Sequence, residues 1–296
     1  MEIPLASEMK EKVSPVDEQW NMVIKPKTGK LSLNVGELRQ SKDLLFIFVR
    51  RDFVAFYKQT ILGPIWFFIQ PLLTTLMYLL IFGKVAKLST DNVPPLLFYL
   101  AGVTCWSYCS ETLTKISDTF ILNANIFGKV YFPRLVLPLS IVLSNLIKFA
   151  IQLILFLLVW GYFFFIEKKD IHITWALILL PYLIVLLSLL SLGLGILFSA
   201  LTTKYRDLRF LLSFGVQLLM FATPVVYPLS LAPKKYQWMI VANPFTAIIE
   251  AFRYAFTGSG NLTWQSLGYS SLATLVILVI GILVFNKVER TFMDTV

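Results

Sequence analysis

Apolar positions in this chain follow two regimes. Between residues 45 and 58, Leu45, Phe48, Val49, Phe53 and Phe56 recur at spacings of three and four, while Asp43, Arg50, Arg51 and Lys58 lie mostly opposite. A helix with this pattern is amphipathic and basic, and it lies along a membrane interface rather than crossing it. Gly63-Pro64 then interrupts the pattern, because proline lacks a backbone donor and restricts the residue before it. Beyond the break the stripe gives way to continuous apolar runs. Residues 61–83 form 23 positions without a formal charge, enough to cross a hydrocarbon core of about 30 Å.

Six runs reach spanning length: 61–83, about 95–116, a part of 135–166, a part of 173–201, about 208–226, and 266–285. The second carries Glu111 and Lys115 near its end. The third covers 32 residues, about 48 Å as a straight helix, so its ends tilt, kink at Pro138 or emerge. Pro71, Pro138, Pro181 and Pro224 are expected to break separate spans, without the matching halves that an inverted repeat would supply. A seventh apolar piece, 238–256, is shorter and holds Asn243-Pro244, Glu250 and Arg253; it reads as a re-entrant or interfacial helix pair. The expected fold is an all-α integral membrane protein with six transmembrane helices. An amphipathic interface helix stands at its N-terminal side, and short re-entrant helices precede the last span. A polar extension (1–40), the interface helix (41–62), the membrane domain (63–286) and a tail (287–296) divide the chain.

Composition agrees with this class. Of 296 residues, 57% are hydrophobic and 15% charged, against about 25% charged in a soluble domain, and the mean hydropathy is +0.74. The net charge of +9 raises the question of nucleic acid, but the basic residues form no single patch; they sit at the ends of apolar runs. With a cytoplasmic N-terminus, eighteen Lys and Arg fall inside and seven outside, with Lys148 within the third span. Both termini are therefore expected inside, although ten of the eighteen precede the first span. Cys105 and Cys109, at helical spacing in an apolar run, read as small buried hydrophobes rather than a disulfide or metal pair. Residues 1–39 read as a polar, partly disordered lead-in with a short ordered element around 31–38. Apolar character begins only near Leu44, so no cleavable signal peptide is expected.

No catalytic constellation is expected. A P-loop ends in Gly-Lys-Ser/Thr, whereas Gly29-Lys30, Gly83-Lys84 and Gly128-Lys129 are followed by Leu31, Val85 and Val130. His172 is the only histidine, which excludes a multi-histidine metal site, and no nucleophile elbow occurs. Glu111 and Lys115 stand in the favoured i,i+4 order for a local ion pair, and ionisable groups in a span are also functional candidates. Lys148 has no sequence-local partner; lining a pathway and snorkelling from a tilted helix end both fit it. The segment 119–138 gathers Phe127, Tyr131, Phe132 and Arg134 around Gly128 and Pro133. Exposed aromatics with Arg suit partner docking, and membrane-surface anchoring is the alternative. Most of the aromatic residues must serve core packing and interfacial belts.

The wording of residues 50–73, RRDFVAFYKQTILGPIWFFIQPLL, resembles the start of the permease subunits of type-2 ABC exporters that move O-antigen, teichoic acid and related polysaccharides out of bacteria. The Arg-Asp pair, Tyr-Lys-Gln-Thr, Leu-Gly-Pro, Trp and Gln-Pro come in that family's order. The resemblance implies a homodimer in the bacterial inner membrane that binds two copies of a separate ABC ATPase. ATP and Mg belong to that ATPase, and no cofactor to this chain. It further implies export of an undecaprenyl-diphosphate-linked polysaccharide such as O-antigen, a step of lipopolysaccharide biosynthesis. By the same resemblance the segment 119–134 leads into a coupling helix, with Asn125, Phe127, Lys129, Tyr131, Phe132 and Arg134 facing the ATPase. Residues 238–258 are similar to outer gate helices, with Asn243, Pro244, Glu250 and Arg253 as gate residues; Glu250 and Arg253, at i,i+3, can also simply pair.

Trp66, Phe67, Phe68 and Tyr78 on the first span, with Phe210, Phe214, Phe221 and Tyr227 on the fifth, are channel candidates because similar exporters build their channel from these spans. Arg50, Arg51, Lys58, Arg206 and Arg209 are candidates for receiving the lipid diphosphate; inside-positive orientation explains the same charges. Export of a drug or lipid by the same architecture is the alternative function. A polyprenyl-phosphate sugar transferase would need clustered acidic residues near the membrane, and Asp91, Glu167 and Asp170 are isolated.

Overall fold

In the computed structural model the described residues are 35–58, 60–123, 126, 132–168, 171–205 and 207–292, and all their regular structure is helical. The lead-in up to residue 34 lies outside them. A short helix α1 (Val35–Gln40) precedes α2 (Lys42–Tyr57). The stripe on α2 is docked on protein: Phe48 and Val49 are buried, and Phe48 meets Phe132 with ring centroids 5.8 Å apart. Arg50 and Arg51 point outward. After α2 the backbone of Gly63 takes φ +53°, a left-handed conformation that glycine adopts without a Cβ penalty. Pro64 then opens a single 3₁₀ turn, Gly63–Ile65, where its missing donor leaves no bond unmade.

Helix α3 (Trp66–Tyr78) continues through a π turn, Leu79–Val85. Helix α4 (Pro95–Ser117) and the short α5 (Thr119–Leu122) follow. Then come α6 (Val136–Gly161), α7 (Leu180–Lys204) and α8 (Leu208–Phe221). Two short helices, α9 (Lys234–Ala242) and α10 (Pro244–Thr257), precede the long α11 (Trp264–Phe292).

Among the described residues, four helical stretches are both long and apolar enough to cross a membrane: Gly63–Val85, Val136–Ile166, Trp175–Lys204 and Trp264–Val288. The other two expected runs depart from that measure for opposite reasons. Helix α4 is long enough, but Ser107, Ser110, Glu111, Thr112, Thr114 and Lys115 dilute its apolar character. Helix α8 is apolar but ends after 14 residues, about 21 Å of rise, where a run to residue 226 was expected. The prolines also act differently from expectation. Pro71 alone among the four lies in a helix interior, with α3 running through it. Pro138 and Pro181 occupy first turns, where the missing N–H had no partner to lose, and Pro224 follows the end of α8.

Helix α4 is the axis of the bundle. Sixteen of its residues are buried, from Leu97 through Ser117. Its first half joins a core with Phe149, Phe156, Leu187, Phe245, Phe252 and Phe256. Its last turns join a second core with Phe48, Phe120, Phe132, Val136, Ile196 and Phe285. Helix α7 approaches its neighbours at glycines. A Cβ on Gly281 would lie 2.6 Å from the Gly193 carbonyl oxygen, and one on Gly195 would lie 2.7 Å from Ile116 Cβ. Small residues let helix backbones meet this closely, and dispersion then supplies what the hydrophobic effect cannot in lipid. Cys105 and Cys109 are buried free thiols within α4.

The pair α9–α10 turns at Asn243-Pro244. The Asn243 side chain accepts from Phe245 N at 3.1 Å and donates to Thr223 Oγ1 at 2.8 Å, capping α10 and tying it to the end of α8. Gly258, at φ +70°, closes α10 in the left-handed conformation. Helix α10 is enclosed by protein, with Phe245, Ile248, Ile249, Phe252 and Phe256 all buried.

Candidate functional site

A groove of about 770 Å³ runs between α3 and α8, floored by α4 and α6. Each helix contributes a stripe at helical spacing. Phe67, Gln70, Thr74 and Tyr78 come from α3; Ser107, Ser110, Glu111, Thr114 and Lys115 from α4; Lys148 and Gln152 from α6; Ser213, Gln217, Met220 and Phe221 from α8. Spacings of three and four put each set on one helix face. The walls α3 and α8 run the same way and α4 runs against them, which gives the groove two ends. One gathers Phe67, Lys115, Lys148 and Ser213. The other, roughly 16 Å away by the rise of α3 from Phe67 to Tyr78, gathers Tyr78, Trp106, Met220 and Phe221.

The first end is ionic. Glu111 Oε1 lies 2.7 Å from Lys115 Nζ and also pairs with Lys148 Nζ. The Lys148 side chain is 6% exposed and that of Lys115 is 43% exposed. Lys148 Nζ also lies 5.6 Å from the Phe67 ring centroid, within cation–π range. Of the two readings open for Lys148, the structure favours the inward one. Its partner is a carboxylate 37 residues away in sequence, which no local pattern could reveal. Beside it the Gln152 Oε1 acceptor is buried with no hydrogen-bond partner among the described residues. The second end is aromatic, and Tyr78 Oη donates to Met220 Sδ at 3.3 Å, joining α3 to α8.

The eight aromatic candidates separate. Phe67, Tyr78 and Phe221 line the groove. Trp66, Phe210 and Phe214 face outward, Phe210 with 80% of its surface exposed. Phe68 and Tyr227 are half-buried and not among the groove's lining residues, and Tyr227 Oη donates to the Phe221 carbonyl at 3.0 Å. Of the five cations proposed to receive a diphosphate, Arg50 and Lys58 are exposed. Arg51 holds Asp52 at 2.9 Å, with its guanidinium 4.8 Å from the Phe48 ring. Arg209 Nε lies 2.9 Å from Asp118 Oδ1, tying the start of α8 to the end of α4. Arg206 lies outside the described residues. So do Asn125, Phe127, Lys129 and Tyr131 of the coupling segment. Its remaining members, Phe132 and Arg134, are buried. The expectation that Phe132 is an exposed docking aromatic is therefore corrected: its ring fills the space beside Phe48 and so belongs to the second core.

Asn243 and Pro244 form the capped start of α10 described above. Glu250 and Arg253 do pair, Arg253 Nη1 donating to Glu250 Oε1 at 3.2 Å, with side chains 4% and 3% exposed. Arg253 Nη2 also donates to the Val225 carbonyl, and its guanidinium stacks 3.8 Å from the Phe98 ring centroid. Glu250 Oε2 accepts from Asn261 N at 3.2 Å. One buried ion pair thus binds α10 to α4, to the segment after α8, and to the loop before α11.

Sequence reading missed Gln70, Gln152, Gln217, Ser107, Ser110 and Ser213 as groove residues. Their signal was present as polar positions recurring at three and four inside otherwise apolar runs, a pattern that marks an inward face.

Residues 43–257 match the family model described as ABC-2 type transporter. An O-antigen export system permease protein, RfbA, of Klebsiella pneumoniae is 29% identical over 268 residues, covering 90% of this chain and 98% of that protein. The protein of the same name in Myxococcus xanthus is 31% identical over 224 residues, with 75% and 83% covered. The polysialic acid transport protein KpsM of Escherichia coli is 25% identical over 242 residues, with 79% and 89% covered. The family match spans more than half of the chain and the all-helical membrane architecture agrees with it: this protein belongs to the ABC-2 type transporter family.

Proposed function

We propose that this chain is the permease subunit of an exporter that carries a lipid-linked polysaccharide, such as an O-antigen, across the bacterial inner membrane. The observation that carries the reading is the groove between α3 and α8. A glycan offers hydroxyls along its edges and C–H faces between them. Amide and hydroxyl side chains (Gln70, Gln152, Gln217, Ser107, Ser110) can exchange hydrogen bonds with the hydroxyls, and Tyr78, Trp106 and Phe221 offer faces for the C–H surfaces. A drug or simple-lipid exporter would have little use for so many hydrogen-bonding groups at membrane depth. The names of the relatives support the same choice.

In this proposal six helices span the membrane, α4 and α8 joining the four long apolar ones. Burial of α4 among its neighbours lets it carry polar residues without meeting lipid. Both termini are cytoplasmic, and two copies of the chain pair with two copies of a separate ABC ATPase that binds ATP and Mg. The exposed apolar faces of α3 (Leu73, Met77) and α8 (Phe210, Phe214, Leu218) flank the groove and meet the second copy. Contact of Phe132 with Phe48 supports a mechanical link from the coupling segment to the interface helix α2. The pair α9–α10 serves as the outer gate, and the buried Glu250–Arg253 pair fastens α10 to α4 and to the loop before α11. Arg50, Arg51, Lys58 and the basic start of α8 meet the carrier lipid's diphosphate at the inner face.

Depleting the protein is expected to remove the glycan from the cell surface and leave it inside on its lipid carrier, as read by extraction and sugar analysis of the two pools. Unchanged surface glycan would overturn the polysaccharide assignment in favour of a drug or lipid cargo.

A further inference from the structure

The hydrogen bonds already made in the groove wall determine which groups it can still receive. Thr74 Oγ1 donates to the Gln70 carbonyl at 2.9 Å and Ser110 Oγ to the Ser107 carbonyl at 3.3 Å. Thr114 Oγ1 donates to the Ser110 carbonyl at 2.7 Å, and Tyr78 Oη to Met220 Sδ at 3.3 Å. All four hydroxyls line the groove, and each has its single proton engaged within the protein. A hydroxyl oxygen keeps lone pairs after donating, so these four present acceptors to whatever enters. The floor adds a fifth. Helix α6 carries a buried polar stripe of Ser140, Ser144, Asn145, Lys148 and Gln152. Ser140 and Ser144 donate to carbonyls of their own helix, Asn145 Nδ2 donates to Thr112 Oγ1, and Lys148 pairs with Glu111. Gln152 ends the stripe at 8% exposure, and its Oε1 has no hydrogen-bond partner among the described residues. Burying an amide oxygen without a donor costs free energy that a leucine of similar volume would not. The terminal torsion of a glutamine is broad, so the amide can turn this oxygen to the groove that Gln152 lines.

We propose that the middle of the groove is an acceptor-lined strip that selects cargo rich in free O–H groups, with Gln152 as the residue that reads them. Gln152 stands one helical turn from Lys148, about 6 Å along α6, between the ionic and aromatic ends. A free sugar hydroxyl donates to Gln152 Oε1, and its neighbours on the ring donate to the lone pairs of Thr74, Ser110 and Thr114. The amide nitrogens of Gln70, Gln152 and Gln217 can return hydrogen bonds to sugar oxygens. An ether, an ester carbonyl or an ionised phosphate brings no proton and meets lone pairs instead. A wall hydroxyl that turned to donate to such a group would give up the bond it already makes. The inference rests on the export reading for its cargo. It adds that free hydroxyls, and not sugar rings alone, are what the groove recognises.

The test compares two probes on the full complex in nanodiscs: maltoheptaose and its per-O-methylated form, which keeps the ring faces and oxygen acceptors but has no O–H. The parent is expected to bind maltoheptaose about tenfold more tightly than the methylated probe. Gln152→Leu is expected to weaken maltoheptaose binding about tenfold and leave the methylated probe unchanged. Its thermal midpoint is expected to stay level or rise, because an unpaired amide has been removed. The bulk of the methyl groups acts on both proteins alike, so the change in preference between them isolates Gln152. No preference in the parent, the same preference in both proteins, or no binding by the parent would overturn the proposal. So would a midpoint lowered by Gln152→Leu, which would mark Gln152 as a structural tie. Surface glycan in the depleted strain separates this inference from the export reading. A Gln152-dependent preference with surface glycan intact would keep hydroxyl selection and discard polysaccharide export. Glycan loss with a Gln152-independent preference would do the reverse.

Discussion

Arg253→Met is expected to destabilise the protein by about 3–5 kcal/mol, the range for breaking a buried ion pair by removing one partner. The substitution keeps much of the side chain's volume, so the effect comes from charge and hydrogen bonding rather than from a void. Glu250 would remain at 4% side-chain exposure, with the Asn261 backbone N–H as its remaining donor among the described residues. The Val225 carbonyl would lose its guanidinium donor, and the Phe98 ring its cation. Since proteins hold only about 5–15 kcal/mol of net stability, most of the folded population in detergent should disappear on mild heating. The double variant Arg253→Met/Glu250→Gln is expected to recover part of the loss, because the uncompensated carboxylate is gone. Thermal unfolding of purified protein by intrinsic fluorescence reads both. A single variant within about 1 kcal/mol of the parent would show that the pair is not the fastening between α10 and the rest of the bundle.

The second large effect is steric. Gly281→Ala is expected to cost about 1–3 kcal/mol, the range for overpacking a tight contact. Its new Cβ would stand 2.6 Å from the Gly193 carbonyl oxygen and 2.9 Å from Ile196 Cγ1. The first neighbour is backbone and cannot rotate aside, so α7 and α11 must separate along their crossing. Gly268→Ala on the same helix is the control. Nothing lies within 4 Å of its Cβ, and alanine favours the helix by up to about 1 kcal/mol over glycine. The two alanines should therefore move the thermal midpoint in opposite directions. Parallel shifts would contradict the close crossing.

Much of this architecture was legible because lipid imposes simple rules. Long apolar runs, one of them interrupted by Lys148, gave the four long helices, and the alternation of stripe and break gave α2 and the turn at Gly63-Pro64. The short helix pair holding Asn243-Pro244 was legible as an apolar piece too short to span, while the capping role of the Asn243 side chain came only with the structure. The limits of α8 were not legible, since apolar character continues past Phe221 although the helix stops there. Nor was the direction faced by each aromatic. Trp66 and Phe67 are adjacent in sequence, yet one is exposed at 39% and the other buried at 4%, a difference of helical phase that composition does not carry. The Glu111–Lys148 pair escaped because it joins two helices, and local spacing speaks only of neighbours on one. Phe132 escaped in the same way: an aromatic in a loop looks like a docking residue until the helix that covers it is placed.

The most direct measurement is transport by the purified complex of this protein and its ABC ATPase in proteoliposomes. Lipid-linked glycan is placed in the bilayer and ATP is added from outside, so that complexes with outward-facing ATPases drive export into the lumen. The glycan is expected to become protected from an added glycosidase in step with ATP hydrolysis, and to stay accessible when this chain is omitted. Glycan that remains accessible while the reconstituted complex hydrolyses ATP would contradict the assignment of this chain as the path for the polysaccharide.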